Sequence, residues 1–583
     1  MKYSTIPSAQ TIVKHCKAKG ISNIVISPGS RNAPLTLSFT EHPYFKCFSI
    51  VDERCAAFFA LGIAQRLKEP VAVVCTSGSA LLNYYPAIAE AFYSEVPLVV
   101  ISADRPTYKI DVGDGQTIRQ DHVFIRHIGY SANLKQDRSH SVERIKKYSP
   151  NWILNLNIDE VQKEIQEFND SEINKAFNMA LHQSLPVHIN VPFEEPLYDH
   201  QSDLSVQVNI EHKEVPKQEL LQLNKLTKIW NLASKKMILV GVNSPNTIEQ
   251  EFLDKLGNDP SVIVLTETTS NLYHTNFFTS IDSLLAPIEL QENRDEQFKE
   301  LQPEILITFG GLIVSKKIKA FLRSYPPKYH WHVGDKRANN TFFVLEKDIK
   351  IDVNVFFRAL LVSEKPSSAN YYPRWDNVRK NYLSKRKEYS RQVSFSDFIV
   401  FDAVLAKIPE NYQLHLANSS TIRYAQLFDV NKTIKVFCNR GTSGIDGSTS
   451  TAIGASIYEE NPTLLITGDL SFFYDSNALW NSYIRKDFRI IVINNNGGGI
   501  FRILPGKEET DNFENYFETV HNLNASALCN MYGIGYQLVN DEPSLQHELS
   551  LFFEPSSEPK LLEIQTPRLL NDKILMDYFH FIS

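Results

Sequence analysis

The sequence predicts an α/β protein of three sequential domains, each a parallel sheet flanked by helices. Three observations support that class. Short apolar runs alternate with amphipathic helical stretches along the chain, as parallel βαβ units require. Many of these runs end in a Gly, Ser or Asp turn, the place where parallel sheets build sites. A length of 583 residues with 43% hydrophobic and 22% charged content suits a soluble chain with several large cores.

Taken in order, the first block, 1–195, holds strand-like runs at 23–27, 71–75 and 97–102. A more polar, helical stretch follows from about 130 to 180, and a strand returns at 186–191. A charged segment near 200–217 reads as a linker. The middle block, 215–365, carries runs at 236–242, 261–265 and 305–309. The region 363–392, with Pro-Ser-Ser and a Lys/Arg-rich run, reads as a second linker. The last block, 390–583, has runs at 413–417, 435–438, 463–467 and 489–493, and no short-period repeat is visible.

Composition excludes several classes. A net charge of −7 gives no basic footprint for nucleic acid or an anionic membrane, so basic residues that matter must be local. Cys16, Cys47, Cys55, Cys75, Cys438 and Cys529 are scattered singly, which supports neither a zinc site nor a disulfide framework. Met-Lys-Tyr-Ser-Thr-Ile-Pro at the start lacks the apolar core of a signal peptide. With no run near the ~20 apolar residues of a membrane span, a cytoplasmic location is expected. The P-loop pattern is absent.

The chemistry-bearing motifs sit at predicted strand ends. Gly468-Asp-Leu-Ser471 follows one apolar run and Asn494-Asn-Asn-Gly-Gly498 follows the next. Asp469 and Asn495 delivered to one sheet edge can hold a hard divalent cation, although either motif alone also reads as a common turn. Glu53 opens an apolar helix, where a helix dipole alone would favour a carboxylate. The Gly-rich run Thr76-Ser-Gly-Ser-Ala80 lies beyond it. Ser30 and Arg31 end the first run, Arg105 follows the third, and Arg440 stands in Cys438-Asn-Arg-Gly441. Arginines placed repeatedly at strand ends suit bidentate carboxylate binding and point to a substrate with several carboxylates. In Gly441-Thr-Ser-Gly-Ile-Asp-Gly447, small residues and backbone N–H groups could approach an anion, with Ile445 a bulky apolar residue in the turn. Ser419 and Arg423 are one helical turn apart.

Together these motifs resemble thiamin diphosphate (ThDP)-dependent decarboxylases and carboligases. More closely, the chain resembles the 2-succinyl-5-enolpyruvyl-6-hydroxy-3-cyclohexene-1-carboxylate (SEPHCHC) synthase family of menaquinone biosynthesis, over essentially its full length. The most specific pieces are Ser-Pro-Gly-Ser-Arg at 27–31, Ser-Ala-Asp-Arg-Pro at 102–106, Asn-Arg-Gly-Thr-Ser-Gly-Ile-Asp-Gly at 439–447 and Asn-Asn-Asn-Gly-Gly-Gly-Ile-Phe at 494–501. The resemblance implies a pyrimidine-binding first block, a central Rossmann-like block and a diphosphate-binding last block. It implies that Glu53 activates the cofactor, and that Asp469, Asn495 and the Gly498 carbonyl ligate Mg2+ or Mn2+. Leu470 and Ser471 would meet the diphosphate, and Ile445 would support the cofactor's bend beside Ser443, Gly444 and Ser419. Substrate carboxylates would be held by Ser30, Arg31, Arg105, Ser419, Arg423 and Arg440. Lys316 would join them, though its Lys-rich surroundings equally suit a solvated helix face. Gln116 would contact the reacting centre, with Ile500, Phe501 and Leu504 as an apolar wall. The implied reaction is decarboxylation of 2-oxoglutarate and 1,4-addition to isochorismate, in a homodimer or homotetramer with active sites at the subunit interface. The alternative is another ThDP-dependent 2-oxoacid carboligase of the acetohydroxyacid-synthase kind.

Overall fold

The computed structural model describes residues 2–212, 223–362, 369–504 and 510–583. The chain divides into two compact units. The first comprises Met1–Val215, Gly441–Glu460 and Tyr474–Arg485; the second comprises Pro216–Arg440, Asn461–Phe473 and Lys486–Ser583.

The first unit is built on a six-stranded parallel sheet. Its spatial order is Lys46–Ser49, Asn23–Ile26, Val71–Cys75, Leu98–Asp104, Val187–Pro192 and Tyr130–Asn133. Val71–Cys75 and Leu98–Asp104 are buried at every position, which is why they read as continuous apolar runs. The two edge strands, Lys46–Ser49 and Tyr130–Asn133, are part-exposed and polar, and the apolar pattern did not reveal them. The polar stretch expected to be helical holds the 26-residue helix Ile158–Gln183.

Helix Glu53–Leu67 starts at Asp52, whose carboxylate accepts the Cys55 N–H at 3.2 Å. Its Ala-rich interior is buried from Cys55 to Ala64. It meets helix Ser448–Ser456 backbone to backbone: a Cβ on Gly62 would lie 2.0 Å from the Thr451 carbonyl oxygen, and one on Gly454 2.0 Å from that of Phe59. Only glycine at both positions permits that approach.

The second unit contains two parallel sheets. One orders Val262–Thr266, Lys236–Val240, Ile305–Phe309, Tyr329–Val333 and Lys347–Ile349. The other orders Lys435–Phe437, Gln413–Leu416, Thr463–Gly468, Arg489–Asn494, Lys560–Gln565 and Gly535–Val539. Asn271, in the turn after Val262–Thr266, accepts the Val436 N–H at 2.8 Å and donates to its carbonyl at 2.9 Å, tying the two sheets together.

The segment expected as a second linker is corrected by helix Tyr371–Tyr389. Tyr371, Trp375, Tyr382 and Tyr389 turn into the core, and the Tyr371 and Tyr389 hydroxyls donate to the Leu301 and Ile574 carbonyls at 2.8 and 2.7 Å. Residues 363–368 of that region, and 213–222 around the first linker, lie outside the described residues. His200–Gln201 of the first linker pairs antiparallel with Tyr3–Ser4. All six cysteines are free. Among the described residues no helix is long and apolar enough to cross a membrane.

Candidate functional site

In the second unit, neighbouring strands Thr463–Gly468 and Arg489–Asn494 run parallel with Gly468 opposite Ile493. Asp469 and Asn495 therefore leave the sheet at one level, 3% and 7% exposed. Asp469 Oδ2 accepts the Gly497 N–H at 3.0 Å, and the Leu470 N–H is turned onto its Oδ1 at 2.6 Å. His521, which no motif singled out, places Nε2 at 3.3 Å from Asp469 Oδ2, near enough for attraction but out of line for a hydrogen bond. Its Nδ1 accepts the Leu523 N–H at 3.1 Å, so a neutral ring carries its proton on the nitrogen facing the carboxylate.

Asn495 Nδ2 donates to Asp397 Oδ2 at 3.0 Å. That contact fixes the orientation of the carboxamide. Asn495 Oδ1 is left buried and without a partner. A buried acceptor unpaired in this way is costly, and a hard cation bound beside Asp469 would satisfy it. The Gly498 carbonyl accepts the Phe501 N–H at 3.0 Å and keeps a second lone pair. The residues present thus fit a magnesium-type ion on oxygen ligands. Burial pushes the Asp397 carboxyl up to about 6, and the Thr566 hydroxyl donates to it at 2.6 Å. Asp397 lies 98 residues from Asn495 in sequence, and no local signal marked it.

The same unit gathers basic groups. Ser419 (φ 65°) precedes helix Ser420–Ala425, which carries Arg423. Burial pulls the Arg423 pKa down; Asp282 and Glu267 support its charge and Arg440 opposes it. Arg440 Nη1 donates to Asn418 Oδ1 at 2.6 Å. Lys316, at the start of helix Lys316–Ser324, is exposed, whereas Lys319 lies within the field of Glu267, Arg440 and Arg423. Glu267 is buried and accepts the N–H groups of Val314 and Ser315 at 2.8 and 2.7 Å, holding the entry to that helix. Burial raises its carboxyl from 4.5 to about 7. A cleft enclosing about 350 Å³ of empty space, part of it open to solvent, is lined by Asp397, Ser420, Arg423, Gly499 and Ile500. Phe501 is half-buried and Leu504 is exposed, while Arg502 between them is buried and paired with Glu518 at 2.5 Å.

The first unit holds the remaining expected residues. Glu53 is half-buried at the head of its helix; Asn83 Nδ2 donates to its Oε2 at 3.2 Å, and its charge reaches the buried Cys75 and Tyr84. Arg31 is buried, donating to the Phe193 carbonyl at 3.1 Å and to Glu195 at 3.0 Å. Its pKa is lowered first by burial and then by Arg105, so the two guanidiniums lie within electrostatic reach. Both keep a buried Nε with no partner, a donor set suited to carboxylates. Ser30 is exposed.

Gln116 is exposed in left-handed backbone (φ 56°), pressed against Gly78 (φ 89°), where a Cβ would come 3.2 Å from the Gln116 carbonyl. Nearby Gln120 is buried, accepts the Gly78 N–H and donates to Asn190, both at 2.8 Å. The run 441–447 leads into helix Ser448–Ser456 as expected. Its first two N–H groups, however, are taken by the buried Glu90, so they do not serve an external anion. Ser443 (φ 61°), Gly444 and Ile445 follow, and Ile445 is 39% exposed.

Residues 7–125 match the family model described as the thiamine pyrophosphate enzyme N-terminal TPP-binding domain, and 418–564 match its C-terminal counterpart. The fold is shared with a solved structure titled as benzoylformate decarboxylase from Polynucleobacter necessarius, at a TM-score of 0.67 and 14% identity, covering 97% of this chain and 99% of that one. Curated SEPHCHC synthases are nearer in sequence. Those of Christiangramia forsetii and Flavobacterium johnsoniae are 55% and 52% identical, with 100% and 99% of both chains covered. That of Bacteroides thetaiotaomicron is 36% identical over 99% of both chains. The chain belongs to the 2-succinyl-5-enolpyruvyl-6-hydroxy-3-cyclohexene-1-carboxylate synthase family.

Two predictions follow from this geometry. Asp397→Ala frees the Asn495 carboxamide, and the Mg2+ concentration for half-maximal ThDP binding should rise about 10- to 100-fold, read by cofactor titration at fixed protein. Unchanged Mg2+ dependence would show that Asp397 does not orient the ligand. For Glu267, the folded-state pKa lies above the unfolded one, so its stabilising contribution is complete below about 4.5 and is lost as pH rises through about 7. Glu267→Gln should therefore lose less thermal stability than wild type between pH 5 and pH 8, about that window. Parallel melting curves would rule this out.

Proposed function

We propose that the chain decarboxylates 2-oxoglutarate and adds the resulting succinic-semialdehyde carbanion equivalent to isochorismate by 1,4-addition. The products are SEPHCHC, with the enolpyruvyl group retained, and CO2, as a step of menaquinone biosynthesis in the cytoplasm. The observation that carries this reading is the supply of arginines: Arg31 and Arg105 in the first unit, and Arg423 with Arg440 in the second, each pair within electrostatic reach. Both proposed substrates are dicarboxylates, and paired guanidiniums suit such ligands.

Bound ThDP would supply the electron sink for decarboxylation and the nucleophilic carbon. Asp469, Asn495 and the Gly498 carbonyl would hold Mg2+, with Mn2+ as the substitute, and Leu470 and Ser471 would face the diphosphate. Glu53, oriented by Asn83, would share a proton with the aminopyrimidine ring. Ile445, next to Ser443 and Gly444, would support the cofactor's bend. Gln116 would face the reacting centre. Ile500, Phe501 and Leu504 would keep water out, strengthening every charge interaction inside. Ser30, Ser419, Arg31, Arg105, Arg423 and Arg440 would orient the carboxylates, with Lys319 as well as Lys316 from the helix beside them.

We also assign 1–195 to pyrimidine binding, 215–365 to a central Rossmann-like domain and 390–583 to diphosphate binding. The chain would associate as a homodimer or homotetramer with active sites at the subunit interface. Sedimentation of the active enzyme as a monomer would overturn that assembly.

The decisive assay follows isochorismate absorbance with purified protein, ThDP, Mg2+ and 2-oxoglutarate, the adduct being confirmed by mass. Consumption that needs every component is the expected result. Decarboxylation with isochorismate untouched would show the acceptor to be wrong. Glu53→Gln should lower kcat by about 100-fold or more while retaining cofactor binding; unchanged turnover would remove Glu53 from the chemistry.

A further inference from the structure

The loop 441–447 is clasped at its start by a buried carboxylate. Glu90 lies on helix Tyr85–Ser94, is 1% exposed, and belongs to the same compact unit as the loop. Its Oε1 accepts the Gly441 N–H at 2.7 Å and the Ser94 hydroxyl at 2.7 Å. Its Oε2 accepts the Thr442 N–H at 2.6 Å and the Thr442 hydroxyl at 2.9 Å. Two consecutive backbone donors thus close on one carboxylate, a nest occupied from within the protein. The fit is tight enough to dictate the residue at 441: a Cβ there would lie 2.5 Å from the Glu90 carbonyl oxygen. At the loop's far end Gly447 (φ 70°) rests on Phe58, whose ring a Cβ would meet at 2.2 Å. Phe58 follows Glu53 on the same helix.

We propose that Glu90 is a positioning residue for the cofactor site: by fixing Gly441 and Thr442 it sets where Ser443, Gly444 and Ile445 stand. This rests on the ThDP reading above. Glu90 touches neither cofactor nor substrate in the scheme and acts only through the loop. The physical requirement is an acceptor at both oxygens, since each faces two donors. Glu90→Gln keeps the size but turns one oxygen into an NH2 group facing donors, leaving buried N–H or O–H groups unsatisfied.

The test combines hydrogen exchange of the ligand-free protein with ThDP titration at saturating Mg2+. In Glu90→Gln, amides of the peptide spanning 438–448 should exchange at least about tenfold faster. The ThDP Kd should rise at least about tenfold, whereas Ser94→Ala, which leaves the loop bonds in place, should change it less than about twofold. Should Glu90→Gln fail to fold, Thr442→Val removes one hydroxyl donor alone and should shift both readouts in the same direction, by about two- to fivefold. Unchanged exchange in the folded variant overturns the clasp. Faster exchange with wild-type ThDP affinity also overturns the proposal, since it assigns Glu90 to stability alone. A wild-type chain that binds no ThDP overturns the cofactor reading itself, and the positioning role with it, while the exchange difference still records the clasp.

Discussion

Loops at the carboxyl edge of a parallel sheet and the first turns of helices have no ladder partners for their backbone donors, and buried carboxylates supply several of those partners in this chain. Glu90 takes the N–H groups of 441 and 442, Asp475 takes that of Ser450, and Glu267 takes those of Val314 and Ser315. Glu563, inside strand Lys560–Gln565, accepts the Ala525 N–H at 2.8 Å and the Asn494 amide at 2.5 Å. Each is nearly or fully buried. A carboxylate in such a place is tolerable only when its oxygens are well bonded, and a loop so bonded has little freedom left. Internal anions thereby fix the conformation of these segments.

The same constraint sets the orientation of Asn495. Asp397 spends one oxygen on the Asn495 amide and the other on Thr566, so Asn495 presents its carbonyl oxygen rather than its NH2. A freely rotating carboxamide would offer either. In the first unit, close contact adds to the clasps that Glu90 and Asp475 make. Gly62 and Gly454 bring two helix backbones together, and the helix that starts at Glu53 therefore cannot slide against the one that follows Gly447. Close packing and saturated hydrogen bonds are alternative ways of removing the same freedom.

The fold class and the strand-end motifs were legible because each lives within a few adjacent residues. Apolar runs betray buried strands, and Gly-Asp or Asn-Gly-Gly betrays the turn that follows. The edge strands Lys46–Ser49 and Tyr130–Asn133 gave no such signal, because they are short, mix polar with apolar residues and are each buried at one position only. Helix Tyr371–Tyr389 was read as a linker because Lys and Arg dominate its composition, while the four buried aromatics that anchor it are spread over its whole length. The supporting carboxylates were illegible for a simpler reason. Glu90 and Gly441 are 351 residues apart, and only the folded chain brings them into contact. Residues that face a ligand cluster in motifs, whereas residues that hold them are scattered, because support can come from any element that packs alongside.

Arg31 and Arg105 show how the chain reconciles a net charge of −7 with local cationic sites. Burial and the neighbouring guanidinium both disfavour charge on Arg31, and Glu195 offsets only part of that, together with one carbonyl bond. Arg144 engages the other oxygen of Glu195 at 2.6 Å, so Glu195 is shared rather than dedicated. Two repelling cations, each with a buried Nε lacking an acceptor, would suit a dicarboxylate such as the proposed function requires. Under the proposed function, the Nε groups of Arg31 and Arg105 that lack an acceptor are the donors a dicarboxylate would meet, and local placement of these two groups, not net charge, is what creates such a site in an acidic chain.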